Sequence, residues 1–176
     1  MSGTGLIHLY CGDGKGKTTA AVGLAVRHAG AGGKVVLAQF LKDGTSGECR
    51  ALAGLKNVTM LAANPCGKFS FQMSGEEKQE CRAAVGRMFA AATGFAVREG
   101  ATLLVLDEVC AAVNRGFLDE DALLAFLDSR PEGLEVVLTG RGPSEALQAR
   151  ADYITEMVKR RHPFDRGVGA RKGIEV

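Results

Sequence analysis

Apolar residues along this chain cluster into short blocks separated by stretches with helical spacing. Strand-like runs fall at 6–11, 34–40, 57–62, 102–107, 134–139 and 152–157. Between them, helices are predicted from Lys17 to about Ala29, near 46–55, from about Gly75 to Arg98, and at about 119–129 and 144–150. Gly30, Gly32 and Gly33 stop the first helix, and Pro131 terminates the fourth. Ser74 and Glu77 have capping-box spacing at the start of the longest helix, which Gly100 ends. The runs at 34–40 and 102–106 are largely apolar without alternation, the mark of strands covered on both faces. Strands alternating with helices predict right-handed crossovers and a parallel sheet between two helical layers, an α/β fold. The loops 41–46 and 63–73 both follow strands, which puts them at the carboxyl edge of the sheet, where such folds bind ligands.

Composition narrows the class. The 176 residues suit one domain spanning 1–176, and 46% hydrophobic content suffices for a core. A net charge of +2 sets up no field that would draw the protein onto nucleic acid or membrane. One local exception runs from Lys159 to Lys172, with six basic residues against Asp165. A solvated or substrate-facing tail is the favoured reading over a nucleic-acid patch, since no aromatic-rich RNA motif accompanies it. The five cysteines (Cys11, Cys49, Cys66, Cys81, Cys110) form no C-x-x-C pair, which fits reduced cytosolic thiols and argues against metal ligation by sulfur. No secretory signal and no apolar run of about 20 residues is visible, so a cytoplasmic location is expected.

The chemistry sits in two segments. Cys11-Gly12-Asp13-Gly14-Lys15-Gly16-Lys17-Thr18-Thr19 follows the first strand and opens the first helix. Three alternating glycines allow a tight turn with inward N–H groups, Lys17 brings an ammonium, the helix N-terminus adds positive potential, and Thr18 offers a hydroxyl to magnesium. This is a phosphate-binding loop, though not the standard one. G-x-x-x-x-G-K-[ST] needs glycine where Cys11 stands, and the glycine falls one place later, at Gly12. The second segment, Ala101 to Glu108, is an apolar strand ending in Asp107-Glu108, carboxylates that can hold magnesium directly or through water. Arg27 reads from its position alone as a surface residue, and Arg141, in Thr139-Gly140-Arg141-Gly142, as a turn residue within reach of a ligand. His8, His28 and His162 have no ligand spacing and read as structural. No Ser-His-Asp arrangement or kinase signature set is present. These residues alone leave open an ordinary phosphoryl-transferring kinase or ATPase, or a nucleotide-gated RNA-binding module.

The chain resembles the P-loop type of ATP:corrinoid adenosyltransferase. The resemblance rests on Gly12 to Ala21, Gln39-Phe40-Leu41-Lys42, Leu106-Asp107-Glu108, Thr139-Gly140-Arg141-Gly142 and His162-Pro163-Phe164-Asp165-Arg166-Gly167-Val168, in order along nearly the whole chain. That family's phosphate loop also lacks the first Walker glycine. The resemblance implies a P-loop NTPase-like (RecA-like), mostly parallel sheet with helices on both faces. It implies transfer of the 5′-deoxyadenosyl group of ATP to the cobalt(I) of a reduced corrinoid, with release of tripolyphosphate.

By the same resemblance, Gly12, Asp13, Gly14, Lys15, Gly16, Lys17, Thr18, Thr19, Arg27 and Arg141 bind the nucleotide, with Lys17 and Arg27 acting in catalysis. Thr18, Asp107 and Glu108 bind magnesium, or manganese in its place. Gln39, Phe40, Lys42, Phe69 and Phe71 stand on the corrinoid side. There the two phenylalanines of loop 63–73 match bulky residues that exclude the lower axial ligand from cobalt, with Phe71 where some relatives have tryptophan. The corrinoid is the second substrate, a reduced flavodoxin-like protein the expected electron donor and a homodimer the expected assembly. Many members carry a helical extension ahead of the first strand, which helps cover the site; here about five residues precede it.

Overall fold

The structure is a computed structural model and describes residues 4–42, 44–62 and 73–175. In chain order the elements are β1 (Ile7–Cys11), α1 (Lys17–Gly30), β2 (Val35–Gln39), α2 (Gly47–Ala53), β3 (Val58–Ala62), α3 (Gly75–Arg98), β4 (Leu103–Asp107), α4 (Val109–Asn114), α5 (Glu120–Ser129), β5 (Glu135–Thr139), α6 (Glu145–Arg150) and β6 (Tyr153–Glu156), then a 3-10 turn at Pro163–Arg166. Every strand lies inside the run that predicts it, and the Ser74–Glu77 capping box forms in both directions. Helix α4 and the 3-10 turn were not foreseen; a six-residue helix is too short to establish a period.

All strand pairs are parallel, in the order β3-β2-β4-β5-β1-β6. The strand that carries the phosphate loop and the strand that ends in Asp107-Glu108 therefore flank β5 rather than each other. Strand alternation divides the core in two. On β2, β4 and β5, Val36, Ala38, Leu104, Leu106, Val136 and Leu138 face the larger cluster, with α3, α4 and α5. Val35, Leu37, Leu103, Val105 and Val137 face the smaller one, with α1 and α2. Helix α1 meets the sheet through Ala21, Ala25 and Ala29, one buried small residue per turn, which lets it lie close to the strands.

This alternation positions the site. Gln39, Asp107 and Thr139 have the parity of the smaller cluster, so at the carboxyl ends of β2, β4 and β5 their side chains emerge beneath the start of α1. Phe40 has the opposite parity and is fully buried in the larger cluster. The ring of Phe40, expected on the corrinoid side, packs in the core.

The displaced glycine also finds its reason here. Cys11 is the last residue of β1, and its side chain is buried in the larger cluster. The tight approach comes at the next residue. Gly12 has φ +94°, and a Cβ there would lie 2.5 Å from the Met157 carbonyl oxygen, just past β6. Gly14 is equally constrained, with a Cβ position 2.6 Å from the same oxygen. Cys11, Cys49 and Cys110 are free, buried cysteines. Among the described residues no helix is long and apolar enough to cross a membrane.

Changing Cys11 to Gly would restore the standard loop pattern. We expect it to lower stability by about 1–2 kcal/mol, through lost side-chain burial and added backbone freedom. Thermal unfolding checks this; a gain in stability would show that the first glycine is compatible with this loop.

Candidate nucleotide site

The loop between β1 and α1 is pinned from outside by the segment after β6. The Gly14 N–H donates to the Met157 carbonyl at 2.6 Å, the Met157 N–H to the Cys11 carbonyl at 2.9 Å, and the Lys159 N–H to Asp13 Oδ1 at 2.9 Å. Gly16, at φ +117°, turns the chain into α1. The Lys17 ammonium folds back over the loop and donates to the carbonyls of Gly12 (2.8 Å) and Gly14 (2.6 Å). Burial, and after it the neighbouring Arg141, pull the Lys17 pKa below the ordinary lysine value. An arriving polyanion reverses that balance, which is the electrostatic basis for binding phosphate here.

Beneath the start of α1 lies a carboxylate centre. Asp107 is 1% exposed. Its Oδ1 accepts the hydroxyls of Thr18 (2.9 Å) and Thr139 (2.7 Å). Its Oδ2 accepts the Gln39 amide and the Lys42 ammonium, each at 3.2 Å. Gln39 also donates to Glu48 Oε1 at 3.3 Å and accepts from the Cys49 thiol. Glu108 follows in the left-handed region, at φ 62°, and is the one non-glycine residue with positive φ among the described residues. Its N–H donates to Thr139 Oγ1 at 2.8 Å. Burial first, and the Asp107 charge second, hold the Glu108 carboxyl above the usual carboxylate range.

One cleft of about 870 Å³ is lined by residues 13–19 together with Lys42, Glu48, Glu108, Thr139 and Arg141, while Asp107, Gln39 and Cys49 are buried and do not line it. Arg141 reaches toward the Asp13 carbonyl at 3.4 Å, while Asn114 donates to the carbonyls of Arg141 and Gly142 and so fixes the Thr-Gly-Arg-Gly turn. Most of the expected nucleotide and metal residues are thus brought together. Gly12 contributes its carbonyl to Lys17 and its shape to the loop. Arg27 is not among the lining residues; it is exposed on α1, about 15 Å of helical rise from Lys17. Gln39, expected on the corrinoid side, is fully buried and donates to Asp107 and Glu48. Lys42 does line the cleft, but at the carboxylate centre. Phe69 and Phe71 lie outside the described residues.

Sequence reasoning missed Glu48, Asn114, Arg115 and His162, all of which line the cleft. Glu48 carried a usable signal, an acid in the first turn of a helix that follows a strand's carboxyl end. His8 and His28 hold structural places, as expected, whereas His162 lines the cleft. His8 stacks on Tyr153, His28 bonds Thr102, and His162 Nδ1 accepts the Phe164 N–H.

The donor set fits a hard divalent cation: a threonine hydroxyl and carboxylates, all oxygen. Among the described residues no three His, Cys, Asp or Glu side chains form a complete metal cage. We expect Glu108→Gly to relieve the left-handed strain and raise stability by about 1 kcal/mol, or about 2–4 °C in Tm, while turnover falls. A lower Tm would mean that residue 108 is not strained.

Comparison with known proteins agrees with this geometry. The model of the ATP:corrinoid adenosyltransferase BtuR/CobO/CobP family matches residues 3–176. The corrinoid adenosyltransferase of Pseudomonas aeruginosa is 32% identical over 171 residues, covering 97% of this chain and 83% of its own. The corrinoid adenosyltransferase of Escherichia coli K12 is 32% identical over 175 residues, covering 97% and 85%. Corrinoid adenosyltransferase CobA of Salmonella typhimurium is 31% identical over 175 residues, with the same coverage. With the phosphate loop, the Asp107–Glu108 strand end and the Thr-Gly-Arg-Gly turn on one cleft, the chain belongs to the ATP:corrinoid adenosyltransferase family.

Proposed function

We propose that this cleft holds the triphosphate of ATP as a leaving group while the 5′-deoxyadenosyl group passes to the cobalt of a reduced corrinoid, in cobalamin biosynthesis or salvage. The observation that carries the reading is the convergence of Lys17, Thr18 and Glu108 on one cleft at the carboxyl edge of the sheet, with the buried Asp107 bonded to the Thr18 hydroxyl. The cobalt(I) electron pair forms the new bond to the ribose 5′ carbon. The carbon–oxygen bond breaks and its electrons leave on tripolyphosphate. No proton needs to move. The protein's task is to stabilise a departing polyanion and keep it aligned.

Lys17, already beside the Gly12 and Gly14 carbonyls, needs only to turn outward to meet phosphate oxygens. The α1 N-terminus adds its positive potential, and Arg141 stands at the rim. Thr18 and the Asp107–Glu108 pair would hold magnesium, which when bound neutralises charge on the triphosphate. Arg27 and the Phe69–Phe71 pair belong to this reading through the family resemblance, as do a homodimeric assembly, a cytoplasmic location and a reduced flavodoxin-like electron donor.

The defining test incubates the protein with MgATP and chemically reduced corrinoid. Formation of an adenosyl–cobalt product with tripolyphosphate is expected; ADP and orthophosphate without that product would point to phosphoryl transfer instead. Lys17→Ala should reduce turnover by 100-fold or more, on the order of one lost charge-stabilising donor; near-normal turnover would remove Lys17 from the leaving-group role. Phe71→Ala should impair the reaction starting from cobalt(II) more than from pre-reduced cobalt(I), and equal losses would separate that residue from control of the axial ligand.

A further inference from the structure

Lys42 lies where a cation belongs. Its Nζ is 3.2 Å from Asp107 Oδ2, 3.2 Å from Thr18 Oγ1 and 3.6 Å from Glu48 Oε1. Asp107 is almost fully buried, and its other partners are uncharged: two hydroxyls and an amide. A buried carboxylate without a counter-charge is costly, and Lys42 is the one charged donor bonded to it among the described residues. The Thr18 hydroxyl gives its proton to Asp107 and receives the Lys42 ammonium on its oxygen. Oxygen lone pairs of Thr18 and Asp107 that a divalent ion would use are therefore already occupied by an ammonium.

We propose that Lys42 is a resident counter-ion that competes with the divalent cation, so that free metal is refused and metal enters only together with the nucleotide. A free divalent ion must evict a paired ammonium and recovers only two or three protein oxygens. A metal–ATP complex brings its own phosphate oxygens to complete the shell, and it offers the displaced ammonium a new anionic partner at the same mouth. The lysine thus changes partner from carboxylate to polyphosphate while its charge stays compensated. This inference rests on the reading of Thr18 and Asp107 as cation-facing, and it assigns Lys42 a positioning role at the metal side of the cleft.

The test measures Mn²⁺ binding to the nucleotide-free protein by loss of the free-ion EPR signal. The wild type should bind weakly. Lys42→Met, which keeps the stem and removes the charge, should bind Mn²⁺ at least 10-fold more tightly, and Mn²⁺ alone should then raise its Tm more than it raises that of the wild type. Lys42→Arg, which keeps a cation in place, should remain weak. Unchanged or weaker Mn²⁺ binding by a folded Lys42→Met protein would overturn the proposal, as would tight binding by the wild type. Asp107→Asn keeps the two readings apart. If that variant binds Mn²⁺–ATP as well as the wild type does, the cation-facing assignment itself fails, whatever Lys42 does.

Discussion

The site depends on one buried carboxylate. Asp107 ends the central strand β4, and its two oxygens gather a hydroxyl from α1, a hydroxyl from β5, an amide from β2 and an ammonium from the loop after β2. Each partner neutralises part of a charge that the low-dielectric surroundings would otherwise penalise. The same bonds fix where the helix start, the neighbouring strand ends and the following loop stand relative to each other. Loss of any one partner weakens both the charge balance and the alignment, so the chemistry and the architecture at this edge of the sheet are not separable.

A second constraint shapes the loop above it. In this chain the segment after β6 presses against the phosphate loop closely enough to forbid a side chain at residues 12 and 14. The glycines therefore follow the pattern of that contact, and Cys11 is released to fill the core. The loop spends the Gly14 N–H on the Met157 carbonyl, facing away from the cleft. A loop so anchored presents phosphates with a backbone already set, which lowers the ordering cost of binding.

Much of this was legible in the chain. Short apolar runs and glycine or proline stops located six strands and five helices, because each element is dictated by local spacing. The phosphate loop and Asp107–Glu108 were legible because their chemistry depends on contiguous residues. What escaped depends on parity and on distant approach. Phe40 and Gln39 are adjacent, yet the pleat sends one ring into the core and one amide to the carboxylates. Lys42 shows the same limit, since the family resemblance set it on the corrinoid side and only the fold shows that it meets Asp107. Glu48 and Asn114 carry no motif at all and matter through what they fix.

The contacts between residues 12–14 and residues 157–159 join nearly opposite ends of the chain. Asp13 and Lys159 are 146 residues apart, so during synthesis the phosphate loop emerges well before the segment that braces it. The first βα unit can collapse early, but its loop has no rigid floor until β6 docks beside β1. Nucleotide affinity is then a late property of folding, acquired when the edge strand closes the sheet. A nascent or partly unfolded chain would carry the full motif yet lack the braced loop, so ATP added during refolding would favour the finished sheet over its precursors.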